Sequence, residues 1–285
     1  MIPQKDNVPG ATFPLVTILL IVANVLFFGW QLTFSGSEES PELQRAGIVG
    51  LSERDQASLE YGAIPYRLLH PGEDCAIGVP PRQRGADVVC QGTSAYSQAQ
   101  SGRQPFVPLD QPAWWVTVLT SMFMHGSLLH IGFNMLFLWI FGNNVEDSMG
   151  RPRFLTFYLL GGAVAVYAQS LLDPSSTVPT IGASGAVAAV LGAYAVLLPK
   201  ARVLSLVFLL FFVTLVEVPA YVMLGIWFIL QFLPAVGQVA APGVTGDSVA
   251  YFAHVGGFIF GLALVWLFAK RRPTLPDADP PYPVY

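Results

Sequence analysis

The sequence is poor in charge. Of its 285 residues only 11% are Asp, Glu, Lys or Arg while 53% are hydrophobic, whereas a soluble domain carries roughly 25% charged residues. With a mean hydropathy of +0.55, this excludes an ordinary soluble domain and indicates a polytopic membrane protein. The 14 Lys and Arg form nothing suited to nucleic acid, and no such partner is expected. Internal repeats are absent. His125 and His130 stand five apart with no Glu between them, so the His-Glu-x-x-His pattern of a zinc protease is missing, and neither a metal nor a cofactor is expected. No small-residue cleavage pattern follows the first apolar run, which exceeds the roughly 7–15 residues of a signal-peptide core. It reads as a retained helix.

What the chain does have is a series of stretches free of Asp, Glu, Lys and Arg, at 13–34, 127–145, 154–172, 181–199, 203–216, 218–237 and 250–269. A spanning helix needs roughly 20 residues. The 14 residues of 203–216, closed by Glu217-Val218-Pro219, are too few, so this run is expected to form an interfacial or re-entrant connection and leave six spans. Charge placement agrees. Lys5, Arg151, Arg153, Lys200, Arg202 and Lys270-Arg271-Arg272 flank one set of ends, and the connections 173–180 and 238–249 contain no Lys or Arg. The positive-inside rule puts both termini in the cytoplasm, and a seventh span would carry Lys270 to Arg272 outside. The expected fold class is therefore an all-α polytopic membrane protein with six transmembrane helices, placed in a bacterial cell membrane.

Residues 1–34 then hold a cytoplasmic N-terminus and the first span, 35–113 a long external loop, 114–270 the membrane core, and 271–285 a proline-rich cytoplasmic tail expected to be disordered. The external loop contains Arg45, Arg54, Arg67, Arg82, Arg84 and Arg103, which do not oppose this topology because long loops translocate largely regardless of charge. Both cysteines, Cys75 and Cys90, lie there. In an oxidising exterior they pair in one disulfide that tethers a floppy excursion, or else remain two thiols.

Polar residues at depth carry the functional signal. With six spans, Ser184 lies in the first turn of the fourth, His254 about a turn into the sixth and His130 about a turn into the second, all counted from the external side. His130 and Asn134 are four apart and share a helical face. Alone, a serine in a span usually bonds its own backbone or lines a packing face. Independent packing roles would not require one level, and intramembrane polar residues are costly. Ser184 sits in the small-residue run Gly182-Ala183-Ser184-Gly185-Ala186 and His254 in Ala253-His254-Val255-Gly256-Gly257. Small residues let two helices approach closely enough for a base to take the proton of a hydroxyl nucleophile.

The segments His125-Gly-Ser-Leu-Leu-His130-Ile-Gly-Phe-Asn134, Gly142-Asn-Asn-Val-Glu146-Asp-Ser-Met-Gly150-Arg151, Gly182-Ala-Ser184-Gly185 and Ala253-His254-Val-Gly-Gly257-xxx-Gly261 resemble the rhomboid family of intramembrane serine proteases, in order, over about residues 114–270. The resemblance implies a six-transmembrane-helix rhomboid-like bundle with a Ser184-His254 dyad, in which Ser184 attacks the scissile carbonyl and His254 serves as general base and then general acid. It implies an oxyanion hole from the Ser184 backbone N–H, His130 and Asn134, structural roles for Glu146 and Arg151, and a lateral gate on the fifth span with Pro219, Tyr221, Trp227 and Phe228, which would otherwise be lipid-facing bulk. Implied partners are the lipid bilayer and transmembrane protein substrates, cleaved near the external surface where Gly or Pro weakens the helix and a small side chain precedes the bond.

Two departures from the family pattern stand out. Val116 and Thr117 occupy the place where members often carry Trp-Arg, with Trp114 and Trp115 just upstream, so the external loop is expected to be anchored differently. Ala188 replaces an aromatic that in some members stacks on the catalytic histidine, so His254 must be oriented by other packing. A non-proteolytic rhomboid-like protein that binds membrane clients would share the fold but normally lack Ser or His of the dyad. A transporter would need a midplane site, whereas the polar set here lies near one face.

Overall fold

The computed structural model describes residues 1–79, 86–101, 105–209, 212–240 and 249–271. Arg82, Arg84, Arg103, most of the 238–249 connection, Arg272 and the tail expected to be disordered lie outside the described residues.

In chain order, the elements are β1 (Ile2–Asp6), α1 (Leu15–Gln31), α2 (Pro41–Ala46), α3 (Glu53–Tyr61), α4 (Pro65–Leu69), β2 (Cys75–Gly78), β3 (Asp87–Cys90), α5 (Ser94–Gln100), β4 (Phe106–Pro108), α6 (Trp114–Thr120), α7 (Leu128–Met149), α8 (Arg151–Leu172), α9 (Ser184–Leu197), β5 (Arg202–Leu209), β6 (Phe212–Pro219), α10 (Ala220–Ala240) and α11 (Tyr251–Phe268). Among the described residues, four helices are long and apolar enough to cross a membrane, namely α7, α8, α10 up to Gln238, and α11. Apolar α1 and α9 are shorter, at 17 and 14 residues, so the expected six spans are not all matched by length. Helix α9 is short because a turn at Gly182, with φ +122°, takes up residues 181–183, and Leu198 leaves helical geometry just ahead of Pro199.

The chain is not all-α. The described residues of 203–216, expected as an interfacial or re-entrant connection, lie in β5 and β6, which pair as the antiparallel arms of a hairpin, and β5 also pairs with β1, giving a sheet of order β1-β5-β6. The run is rich in Val and Phe, which favour strands, and pairing its halves satisfies the backbone where a single short apolar segment would leave it bare. Its ends meet, since Arg202 pairs with Pro219 and the Ala220 N–H donates to Ala201 O at 2.8 Å.

Nor do the described residues of 35–113 form a floppy excursion. Strands β3-β2-β4 form a second sheet, the Cys75–Cys90 disulfide joins facing residues of β2 and β3, and Leu43, Ile48, Ile64, Ile77 and Val107 form a buried core beneath them. This unit grips the membrane core at several places. Ala63 and Thr180 exchange backbone hydrogen bonds at 3.1 and 2.8 Å, and the Tyr66 N–H donates to Ser176 O at 3.0 Å, so it holds the loop that leads into Ser184. Thr120 Oγ1 donates to Tyr61 O at 2.6 Å while Trp30 packs edge-on against Tyr61, an anchorage that needs no Trp-Arg pair.

The main core lies among α7, α8, α9 and α11 around Phe141, Phe157, Tyr158, Leu191 and Tyr194. At the end remote from Ser184, Glu146 on α7 accepts from the Val16 and Thr17 backbone N–H groups at 3.0 and 2.8 Å, so a carboxylate caps the otherwise unsatisfied first turn of α1. Arg151 donates to Phe13 O at 3.3 Å beside it.

Candidate active site

Helix α9 opens at Ser184, immediately after the left-handed turn at Gly182. A side chain at residue 182 would be strained by that φ, and its Cβ would lie 2.8 Å from Cε1 and Nε2 of His130. Glycine is therefore what lets the His130 ring rest against the turn. The loop is pinned from behind, with the Gly182 N–H donating to Ser121 O at 2.8 Å and the Ala183 N–H directed at His125 Nε2 at 3.5 Å. Because α9 begins here, the backbone N–H groups of its first turn have no intrahelical acceptor.

Helix α11 brings His254 to the same place through backbone contact with α9. A Cβ on Gly257 would stand 2.1 Å from Gly185 O, and one on Gly261 2.0 Å from Ala189 O. With the helices this close, His254 Nε2 lies 2.8 Å from Ser184 Oγ. His254 Nδ1 lies 2.8 Å from Oε1 of Gln231 on α10. The rings of Trp227 and Tyr251 flank His254 at 6.2 and 6.4 Å, the packing that stands in for the missing aromatic at Ala188.

Helix α7 supplies the other side. Ser127 caps it by accepting from the His130 N–H at 3.1 Å, which places His130 in the first turn and Asn134 one turn further. Asn134 is buried, and its Nδ2 has no hydrogen-bond partner among the described residues. An unsatisfied buried amide is costly, unless it serves a group that arrives later. His130, Asn134, Gly182, Ser184, Gln231 and His254 all line one cavity of about 1320 Å³.

His125, just ahead of α7, is 1% exposed and packs edge-on against His130 at 5.0 Å. Burial first, and the neighbouring His130 second, push its imidazole down to about 4 from 6.5. Its backbone N–H donates to Gln31 Oε1 at 2.8 Å, so it ties α1 to the loop behind Ser184. Among the described residues, no group of three or more His, Cys, Asp or Glu could hold a metal ion. Of the residues considered for a gate, Trp227 and Phe228 pack inward on Phe258 at 5.8 and 4.9 Å, while Tyr221 is exposed. Sequence reasoning missed Gln231, whose signal is a single amide within the otherwise apolar run 218–237.

A family model described as Rhomboid domain matches residues 112–271. The chain belongs to the rhomboid family. Among rhomboid relatives, "Rhomboid protein 1, mitochondrial" of Saccharomyces cerevisiae is 31% identical over 160 residues, 54% of this chain and 42% of that protein. "Rhomboid-like protein 11, chloroplastic" of Arabidopsis thaliana is 31% identical over 172 residues, 59% of this chain and 57% of that protein. "Rhomboid protease GluP" of Bacillus subtilis is 40% identical over 83 residues, 29% of this chain and 16% of that protein. The chain thus spans less than two thirds of the length of each of these rhomboid relatives. As a rhomboid, it is an integral, multi-pass membrane protein.

Proposed function

We propose that this chain is an intramembrane serine endopeptidase that cleaves transmembrane segments of other membrane proteins through a Ser184-His254 dyad. The observation that carries the proposal is the 2.8 Å approach of His254 Nε2 to Ser184 Oγ inside a cavity. Ser184 Oγ attacks the scissile carbonyl carbon as its proton passes to His254. The oxyanion formed accepts hydrogen bonds from the Ser184 backbone N–H, His130 and Asn134, and the unpartnered Asn134 Nδ2 supports that role. His254 returns the proton to the leaving amine as the C–N bond breaks. Water from the cavity then hydrolyses the acyl ester, with His254 again the base.

The charge pattern supports cytoplasmic placement of both ends of the described chain. The relatives are mitochondrial, chloroplastic and bacterial by name, so the bacterial cell membrane read from the sequence does not follow from them. The test is incubation of the purified protein with a fluorophosphonate probe and a model transmembrane substrate. Native protein is expected to be labelled and to cleave, and Ser184→Ala and His254→Ala to do neither while remaining folded. Activity above a few per cent in Ser184→Ala would overturn the proposal.

A further inference from the structure

Apolar helix α10 carries two amides; Gln238, near its end, donates to Val249 O at 3.1 Å, whereas the oxygen of Gln231, in mid-helix, lies 2.8 Å from the nitrogen of His254 that faces away from Ser184. A polar amide in such a run is costly unless bonded. The geometry points to Gln231 as a positioning residue that sets the tautomer and ring orientation of His254, extending the pair to a Ser184-His254-Gln231 chain. The assignment of roles rests on the dyad reading given above.

The chemistry fixes each proton. For His254 Nε2 to accept from Ser184 Oγ–H, the neutral ring must carry its proton on Nδ1. That N–H then requires an acceptor, and the amide oxygen of Gln231 supplies it. The opposite tautomer would set Nδ1 as an acceptor against the amide oxygen, leaving two lone pairs face to face, and would give Nε2 no capacity to take the serine proton. Among the described residues, the groups that face His254 are Ser184 from α9, His130 from α7, Gln231 and Trp227 from α10, and Tyr251 from its own helix, and none of these is a carboxylate. A neutral acceptor fixes the tautomer without placing a charge at membrane depth, where it would be costly.

Gln231 also lies on a different element from both members of the dyad. Helix α10 contains Pro234, which cannot donate to the carbonyl four residues earlier, at Leu230, beside Gln231. The part of the helix that holds His254 in register is therefore next to a break in its own hydrogen-bond ladder, so movement of α10 would uncouple the tautomer control along with it.

The test combines kinetics with a spectroscopic signature. Gln231→Leu is expected to lower kcat by about 10- to 100-fold, the range for removing one partner of a buried hydrogen bond, with KM unchanged. Gln231→Glu, which keeps an acceptor oxygen, is expected to restore most of the turnover. ¹⁵N spectra of ring-labelled histidine, assigned through His254→Ala, should show His254 protonated on Nδ1 in the native protein and shifted toward the Nε2–H form in Gln231→Leu. A merely structural role would change stability without moving that equilibrium. Native His254 found mainly in the Nε2–H form, or Gln231→Leu with native kcat and tautomer, would overturn the inference. If Gln231→Leu does not fold, the native spectrum and Gln231→Glu decide it. Failure of the native protein to cleave or to be labelled would instead overturn the protease reading, while the spectrum still judges Gln231.

Discussion

Adding one methyl group at Gly257 should disable the site without unfolding the protein. The new Cβ would stand 2.1 Å from Gly185 O and 3.1 Å from Gly185 C, where about 3.5 Å is the ordinary separation, so α11 must retreat from α9 by about 1 Å or more. Gly185 adjoins Ser184 and Gly257 lies three residues from His254, and the retreat therefore falls directly on the 2.8 Å Ser184–His254 contact. It lengthens that contact past the roughly 3.2 Å limit of a good hydrogen bond. A displacement of about 1 Å costs about 100-fold in rate, while overpacking of this kind costs only about 1–3 kcal/mol of stability. Cleavage of a transmembrane reporter substrate and fluorophosphonate labelling should thus both fall about 100-fold in Gly257→Ala, with thermal unfolding in detergent lowered by only a few degrees. Gly225→Ala and Gly237→Ala on α10, where an added Cβ meets nothing within 4 Å, are the controls and should keep their turnover. Native turnover in Gly257→Ala would refute the argument that glycine packing sets the distance between the two groups.

Two further outcomes follow from the site. Asn134→Ala removes one candidate oxyanion donor and leaves the others, so kcat should drop about 10- to 1,000-fold, on the scale of single-donor deletions, and full activity would make Asn134 only a packing residue. His125 is held at about 4 by burial and by His130, while the unfolded chain takes up the proton near 6.5. Between these pH values the unfolded state binds more protons, so stability should fall as pH drops from 6.5 toward 4, by up to about 3 kcal/mol. Thermal unfolding followed across that window should show a shallower acid decline in His125→Gln than in native protein, and equal slopes would remove His125 as the cause.

The parts of this molecule legible in its sequence are those fixed by periodicity and by short-range chemistry. Hydropathy located the helices α7, α8, α10 and α11, and spacing put His130 and Asn134 on one face. Gly185, Gly257 and Gly261 announced a close helix contact because only a missing side chain permits one. Gln231 was not legible, since nothing local says which of the two nitrogens of a distant histidine a lone amide will meet. The order within 35–113 was hidden for a similar reason. Its Pro, Gly, Ser and Gln suggested a loose loop, yet a few apolar residues far apart in sequence, such as Leu43, Ile77 and Val107, make a core that only three-dimensional closure reveals. Asp6 is equally silent in sequence, although it accepts from Tyr194 OH on α9 and from Asn144 Nδ2 on α7 and so fastens the N-terminal strand to two helices of the core.

The short run at 203–216 turns out to govern the whole site. The contacts between α9 and α11 advance together along both helices, Gly185 with Gly257 and Ala189 with Gly261, so the two helices run parallel and begin at the same end. A chain that leaves α9 at one end and starts α11 at the other must traverse the bundle once, and α10 does so by itself. The segment between α9 and α10 therefore has to return to its starting point. The hairpin does this, with Arg202 opposite Pro219 and Ala220 bonded to Ala201. Had those residues formed one more traversing helix, α11 would run antiparallel to α9, and His254 would lie at the far end from Ser184, most of a roughly 30 Å hydrocarbon core away. Proton transfer needs the two within about 3 Å. A segment whose described residues do not line the cavity thus decides, by turning back, that the hydroxyl and the imidazole can meet at all.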